Sequence, residues 1–377
     1  MILHIGSRKP ADPRATLPVM LIALAVPVAL AVPALLSAQT RGAATESAKT
    51  HTHRDVRIAT PDPSVTLAGT LSLPGGRTGA PVVIFLTGSG DHSRDQVISG
   101  TPMFQVLAEH LLGAGFATLR LDDRGTGEST GPATTASTTA DRVTDMTAAV
   151  AWMAGSGDAG SIILFGHSEG ASVAAAVAGS DDRVEGVVLL GAPALAGSVV
   201  WMDQQMAGIA EHLQRDVAEL DDIRGLLQRI IDLSVGGAAP ADVESHTVPF
   251  FAAIGLDLDT AREDGTLANF VARLSSPWFR HFLAHDPAAD YQRIEAPVLA
   301  IYGSLDRLTS PALNLPVLAG AVTSNSDVTL RIVPEQDHFF LRSDELPAGQ
   351  HRFGIMHVAP ELPAELIRWL QARFIDR

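Results

Sequence analysis

The residues that could do chemistry stand in the order that acyl transfer to a serine requires. Gly166-His167-Ser168-Glu169-Gly170 follows the apolar run Ser161–Phe165 and precedes the small-residue segment Ala171–Ala178. A serine at a sharp strand-to-helix turn presents its Oγ for attack, and flanking glycines remove Cβ atoms that would collide with strand and helix. The same turn sets the Glu169 N–H at a helix start, where it can face an oxyanion. A serine alone does not attack esters: it needs a base, and the base an orienting acid. The expected chain order is Ser, acid, His. Asp306 follows the run Pro297–Tyr302, in Gly303-Ser304-Leu305-Asp306-Arg307. The other place for an acid, after Val184–Leu190, offers only Gly191-Ala192-Pro193-Ala194. His338 comes a few residues after Val328–Val333, whereas His351 and His357 do not directly follow a strand. Asp337 is the weaker acid, because adjacent side chains diverge. The second oxyanion donor is expected in Thr87-Gly88-Ser89-Gly90, after Pro81–Leu86. The Ser89 N–H is the choice there, with Gly90 beside it to assist. His92 precedes the nucleophile and reads as a loop or rim residue.

Other segments carry weaker signals. Asp122 to Ser129 (DDRGTGES) follows the next strand but lacks the GK[ST] ending of a phosphate loop. An ion pair between Arg124 and a carboxylate is expected to hold it. His51-Thr52-His53 has no supporting ligands and reads as solvated. Trp201, Phe250, Phe251, Trp278, Phe279 and Phe282 are expected in the core of a cap, some of them lining an acyl pocket.

These residues need a scaffold that delivers them to one edge. Val56–Thr60, Val65–Leu73, Pro81–Leu86, Phe116–Leu121, Ser161–Phe165, Val184–Leu190, Pro297–Tyr302 and Val328–Val333 read as strands. Met103–Ala114, Asp141–Met153, Ala171–Ala178 and Ala364–Phe374 read as helices, with Val143, Met146, Val150 and Met153 on the apolar side of the second. Strands alternating with helices imply an α/β, doubly wound, mostly parallel sheet. Residues 195–293 break the rhythm with helical patterns at Met202–Leu213, Val217–Leu233, Leu267–Leu274 and Trp278–Leu283, and are expected as an inserted helical cap. The α/β core then comprises residues 55–194 and 294–377.

The chain has 377 residues, 46% of them hydrophobic, enough for a sizeable core. It has no cysteine, which excludes a disulfide framework, a zinc–thiolate site and a thiolate nucleophile. A net charge of −15 without clustered Lys and Arg argues against nucleic-acid binding. Arg8, Lys9 and Arg14 precede the uncharged run Ala15–Leu36, and Ser37 and Ala38 follow. This is the pattern of a secretory signal peptide over residues 1–38, with an uncleaved membrane anchor as the alternative; either places the remainder outside the cytoplasm. Residues 39–54 read as a polar tether.

Together these motifs resemble the α/β-hydrolase-fold serine hydrolases, and more narrowly bacterial exported α/β hydrolases related to carboxylesterases. In that family HGSG-P-x-D-R-D follows the third strand, D-D-R-G-x-G-x-S the fourth, and G-H-S-E-G-G carries the nucleophile. Here the first reads Thr87 to Asp95 (TGSGDHSRD), with Thr87 and Asp91 departing from the pattern. The second is Asp122 to Ser129 unchanged, and the third is Gly166 to Gly170 followed by Ala171. Ser275-Ser276-Pro277-Trp278-Phe279-Arg280 before Asp286-Pro287 is similar to the end of the family's cap. The resemblance spans about residues 56–377. It implies hydrolysis of a small-molecule ester with a Ser168–Asp306–His338 triad and no metal or organic cofactor. The residues leave open a peptidase, thioesterase or lactonase, and a non-catalytic binding protein on the same scaffold.

Overall fold

The computed structural model describes residues 51–342 and 356–376. The proposed export segment and His351 lie outside the described residues. β1 (Thr52–Ala59), β2 (Thr66–Leu73) and β3 (Ala80–Leu86) open the chain. A small hairpin, β4 (Val97–Ile98) with β5 (Thr101–Pro102), leads into α1 (Met103–Gly113) and β6 (Ala117–Leu121). α2 (Thr139–Gly155), β7 (Ala159–His167), α3 (Glu169–Ala178) and β8 (Val184–Leu190) follow. The helical stretch consists of α4 (Gly197–Leu213), α5 (Asp221–Val235), α6 (Pro240–Ala253), α7 (Leu258–Glu263), α8 (Thr266–Leu274), α9 (Pro277–Ala284) and α10 (Ala288–Gln292). β9 (Val298–Gly303), α11 (Pro311–Ala321), β10 (Val328–Val333), the pair β11 (Leu341–Arg342) and β12 (His357–Val358), and α12 (Glu361–Phe374) complete the described chain.

Eight strands form one sheet in the order β1-β2-β6-β3-β7-β8-β9-β10. From β6 to β10 neighbours are parallel; β1 and β2 pair antiparallel with each other and β2 antiparallel with β6. Alternation of side chains along each strand divides the core into two layers. Val82, Ile84, Leu164, Val187 and Ala300 pack beneath α2, α3 and α11, with Val150, Val173 and Leu318. Val83, Phe85, Ile163, Phe165, Val188 and Ile301 pack beneath α1 and α12, with Leu107, Leu366 and Trp369. Strands buried on both faces must be apolar throughout, which is why the central ones read as unbroken hydrophobic runs. The helices between β8 and β9 have their own cluster, built on Trp201, Ile230, Phe251, Phe270 and Phe279.

Two expectations need correction. Residues 52–54, assigned to a polar tether, belong to β1: His53 pairs with Ser72 across the ladder, and its Nδ1 lies 2.9 Å from the Ser72 hydroxyl. Arg54 forms an ion pair with Asp158, so the segment is anchored, and His53 is not a freely solvated side chain. The expected apolar side of α2 packs on the core, but two charged residues are buried along with it. Arg142, Asp145, Ala149, Val150 and Met153 are buried, while Val143 and Met146 are only partly so. Local periodicity did not anticipate two buried charges, because their partners come from distant loops. The Thr138–Asp141 capping box fixes where α2 starts.

Gly170 on α3 faces the end of β3. A Cβ there would fall inside contact distance of the Leu86 and Thr87 carbonyl oxygens. Because those atoms are backbone, the sheet itself would have to move. Gly170→Ala is expected to destabilise the fold by about 1–3 kcal/mol, as overpacking does, read as a lowered denaturant midpoint at unchanged m-value.

Candidate active site

Ser168 sits between the last residue of β7 and the first of α3, at φ 57° and ψ −124°. Positive φ is costly for a residue with a Cβ, about 1–3 kcal/mol, and persists only when the surroundings impose it. They do so here from both sides. The Ser168 N–H donates to Leu190 O at the end of β8, 2.8 Å away, and its carbonyl accepts from the Ala171 N–H at 2.9 Å. A Cβ on Gly166 would strike the Gly170 backbone, so the chain closes this turn only with glycine at both positions. Ser168 remains partly exposed while its neighbours are buried.

β9 and β10 deliver the other two residues. Asp306 Oδ2 lies 2.9 Å from His338 Nδ1. Its Oδ1 accepts from the Leu308 and Thr309 N–H groups at 2.8 Å each, and the Thr309 hydroxyl is 2.9 Å from Oδ2. Burial raises the Asp306 carboxyl, but the His338 ring and these donors outweigh it and hold its pKa below the usual range. An ionised Asp306 fixes the proton of His338 on Nδ1 and leaves Nε2 as the basic nitrogen. Asp337 instead accepts from the Phe339 N–H, a local turn bond. His357 is exposed on β12. No hydrogen bond joins Ser168 Oγ to His338 in this structure; His167 holds the two segments together. Its Nε2 lies 2.9 Å from the His338 carbonyl, and the two rings are 4.8 Å apart between centroids.

His167 and Gln96 were not anticipated as members of the site. Burial, reinforced by the His338 charge, pushes the His167 imidazole down to about 3. It is therefore neutral at pH 7, donating from Nε2 and accepting at Nδ1 from the Gln96 amide, 2.9 Å away. Gln96 Oε1 in turn accepts from the Gly88 N–H at 2.7 Å. One buried amide thus ties the loop after β3 to the turn after β7. Gln96 has positive φ (42°) and is fully buried, two features invisible in its sequence context.

The loop that bears the first proposed oxyanion donor runs beside Ser168. The place of a Cβ on Gly88 is 3.4 Å from the Ser168 Cβ, and Ser89 follows; its N–H has no acceptor among the described residues. Glu169 occupies the first position of α3, where a helical N–H has no intrahelical partner. Arg142 lies behind both. It donates to Thr87 O at 2.7 Å and Gly88 O at 3.1 Å, and reaches Glu169 Oε2 at 3.4 Å. Glu169 also accepts from the Thr139 hydroxyl at 2.7 Å and from the Trp278 indole N–H at 3.1 Å. Asp123 receives the Thr87 hydroxyl at 2.6 Å and the His92 N–H at 3.0 Å, while His92 Nε2 lies 2.9 Å from Ser89 O. His92 is thus a strut of the loop. Desolvation raises the Asp123 pKa against the pull of Arg142 and His92. Arg124 pairs bidentately with Asp145, at 2.7 Å from both Nε and Nη2, as the sequence led us to expect of a carboxylate partner. Arg94 grips Asp122 in the same way and also holds Glu128.

Residues 81–343 match the α/β hydrolase fold family. The chain belongs to that family. Within it, the chain is 21% identical over 308 residues to Esterase EstD of Thermotoga maritima, covering 81% of this chain and 65% of that protein. It therefore spans just under two thirds of that relative's length. An esterase of Pyrococcus furiosus superposes with a TM-score of 0.54 at 18% identity, over 89% of this chain and 97% of the other. An α/β hydrolase from Penicillium sp. gives 0.54 at 17% identity, over 86% and 99%. The fold is thus that of an α/β hydrolase, as the motifs implied. Among the described residues of this α/β hydrolase, no three or more His, Asp or Glu side chains are grouped to hold a metal ion.

The His167 pKa makes a test of the site's construction. It falls from an ordinary 6.5 to about 3 on folding, so the unfolded chain binds this proton more readily. Its contribution to stability is complete above about pH 6.5 and is lost as the pH falls towards 3. In urea titrations from pH 7 to 4.5, His167→Gln is expected to lose stability more slowly than wild type. The difference approaches about 1.4 kcal/mol per pH unit once the unfolded histidine is protonated.

Proposed function

We propose that this α/β hydrolase is a serine hydrolase that cleaves carboxylic esters through an acyl-enzyme on Ser168. The observation that carries the reading is the Asp306–His338 bond of 2.9 Å beside a serine held at positive φ. Asp306 orients His338 and stabilises its protonated form. His338 Nε2 takes the Ser168 proton as Oγ attacks the ester carbonyl, and the Ser89 and Glu169 N–H groups stabilise the oxyanion. Each such donor is worth about 3 kcal/mol in the transition state. The proton on Nε2 then passes to the departing alcohol. Water, deprotonated by the same nitrogen, attacks the acyl-enzyme, and Ser168 leaves with the proton restored. Catalysis needs His338 and Ser168 to approach within hydrogen-bond distance, a contact that commonly tightens only with substrate bound. The relatives named as esterases support the ester as substrate class.

Ser168→Ala is expected to abolish hydrolysis of p-nitrophenyl esters with an unchanged circular dichroism spectrum. A fluorophosphonate should add once to wild type at Ser168 and not to the variant, read by intact mass. Full activity in Ser168→Ala refutes the nucleophile; labelling of Ser168 without ester turnover redirects the reading to peptides, thioesters or lactones. Asp306→Asn is expected to lower kcat by about 10⁴-fold, because the imidazole loses the acceptor that fixes its tautomer.

A further inference from the structure

Among the helices between β8 and β9, α9 makes a polar contact with the residue after Ser168. Trp278 is the second residue of α9, buried at 3% exposure, and its indole N–H points at the Glu169 carboxylate, 3.1 and 3.2 Å from the two oxygens. Its ring lies against Phe279 and Phe282, with the Arg273 guanidinium 5.6 Å from its centroid. A buried indole N–H needs an acceptor, and the one it meets is a carboxylate that Arg142 and Thr139 already hold. Burial accounts for an acceptor being present; what it does not account for is that the acceptor is Glu169.

The identity of the acceptor supplies it. Glu169 carries one proposed oxyanion N–H on its own backbone, so the direction of that N–H and the seat of its side chain are properties of one residue. The same carboxylate meets Arg142 Nη1, which also donates to Gly88 O, while Nη2 donates to Thr87 O, immediately before Ser89. Trp278, Glu169 and Arg142 thus form a line running from α9, past one donor, to the loop that bears the other. We propose that Trp278 is a positioning residue for ester hydrolysis: through Glu169 and Arg142 it aligns both oxyanion donors, so the hole is complete only when α9 is seated. This rests on the reading of Ser168 as the nucleophile. It assigns Trp278 a role in the transition state, distinct from that of an acyl-pocket wall.

The variant Trp278→Phe keeps an aromatic ring against Phe279 and Phe282 and removes the donor. A loss of alignment short of removing the donor is expected to cost about ten-fold, below the 10²-fold that follows a full misplacement of about 1 Å. We expect kcat for p-nitrophenyl acetate and octanoate to fall by that factor, with KM changed less than two-fold for both. Affinity for a boronic acid, which mimics the tetrahedral adduct, should fall in step with kcat, and fluorophosphonate labelling of Ser168 should slow but still reach one adduct. Unchanged kcat and labelling rate overturn the proposal, as does a KM change that depends on acyl length, which would make Trp278 a pocket wall. Glu169→Gln leaves α9 intact and weakens the same line from its middle. It should slow labelling too, and the double variant should be no slower than the slower single one; effects that multiply would mean two independent roles. A wild type whose Ser168 does not label at all overturns the proposed function and this inference with it. A wild type that labels, with both variants labelling equally fast, overturns this inference alone.

Discussion

The backbone of Ser168 is held in a conformation that a residue with a Cβ avoids, and the rest of the molecule is arranged to hold it there. The turn lies at the end of β7, the strand flanked by β3 and β8 in the middle of the sheet. Paired on both sides and packed on both faces, β7 cannot relax the strain by shifting. α3 cannot relax it either, because Gly170 lies against the carbonyls that end β3. Strain is thus balanced by central sheet pairing and by the two-layered core, which makes the partly exposed serine a product of the whole fold.

Beneath this edge lies an unusual amount of buried charge. Arg142 with Glu169 joins α2 to α3, Arg124 with Asp145 joins the loop after β6 to α2, and Arg94 with Asp122 joins the loop after β3 to the loop after β6. Burying ion pairs is a poor way to gain stability, because desolvation offsets most of the attraction. Their value here is geometric. Arginine donates in a fixed plane, so a carboxylate or carbonyl meeting it is fixed in direction as well as distance. The loops after β3 and β6 contain several glycines and small residues, which alone would leave their backbone directions open. The guanidinium contacts supply the directions that side-chain packing does not.

The sequence made legible what depends on short spacing. Gly166 to Gly170 identify the turn because its constraint is local, and Asp306 and His338 stand out because each directly follows an apolar run. The central strands are recognisable for the same reason that they are buried on both faces. What stayed hidden depends on meetings across the chain. Gln96 lies 71 positions from His167, and Trp278 lies 109 from Glu169. Arg142 and Asp145 gave no local sign of burial, since nothing nearby announces Thr87 or Arg124 as a partner. The segment around His53 looked like a tether because β1 is an edge strand with a polar outer face, so its alternation is faint. Pro249 and Pro316 inside α6 and α11 likewise masked two helices.

β8 and β9 pair directly, Val187 with Val298 through Leu190 with Ile301, although the whole helical stretch is threaded between them. No residue of that stretch enters the ladder. Strand register is therefore indifferent to how long the insertion is or how its helices are arranged. In descent from a common ancestor, such a segment can be lengthened, trimmed or replaced wholesale while the machinery at the sheet edge is inherited intact. What limits the drift is the surface where the insertion packs on the inherited core, as Tyr291 of α10 does.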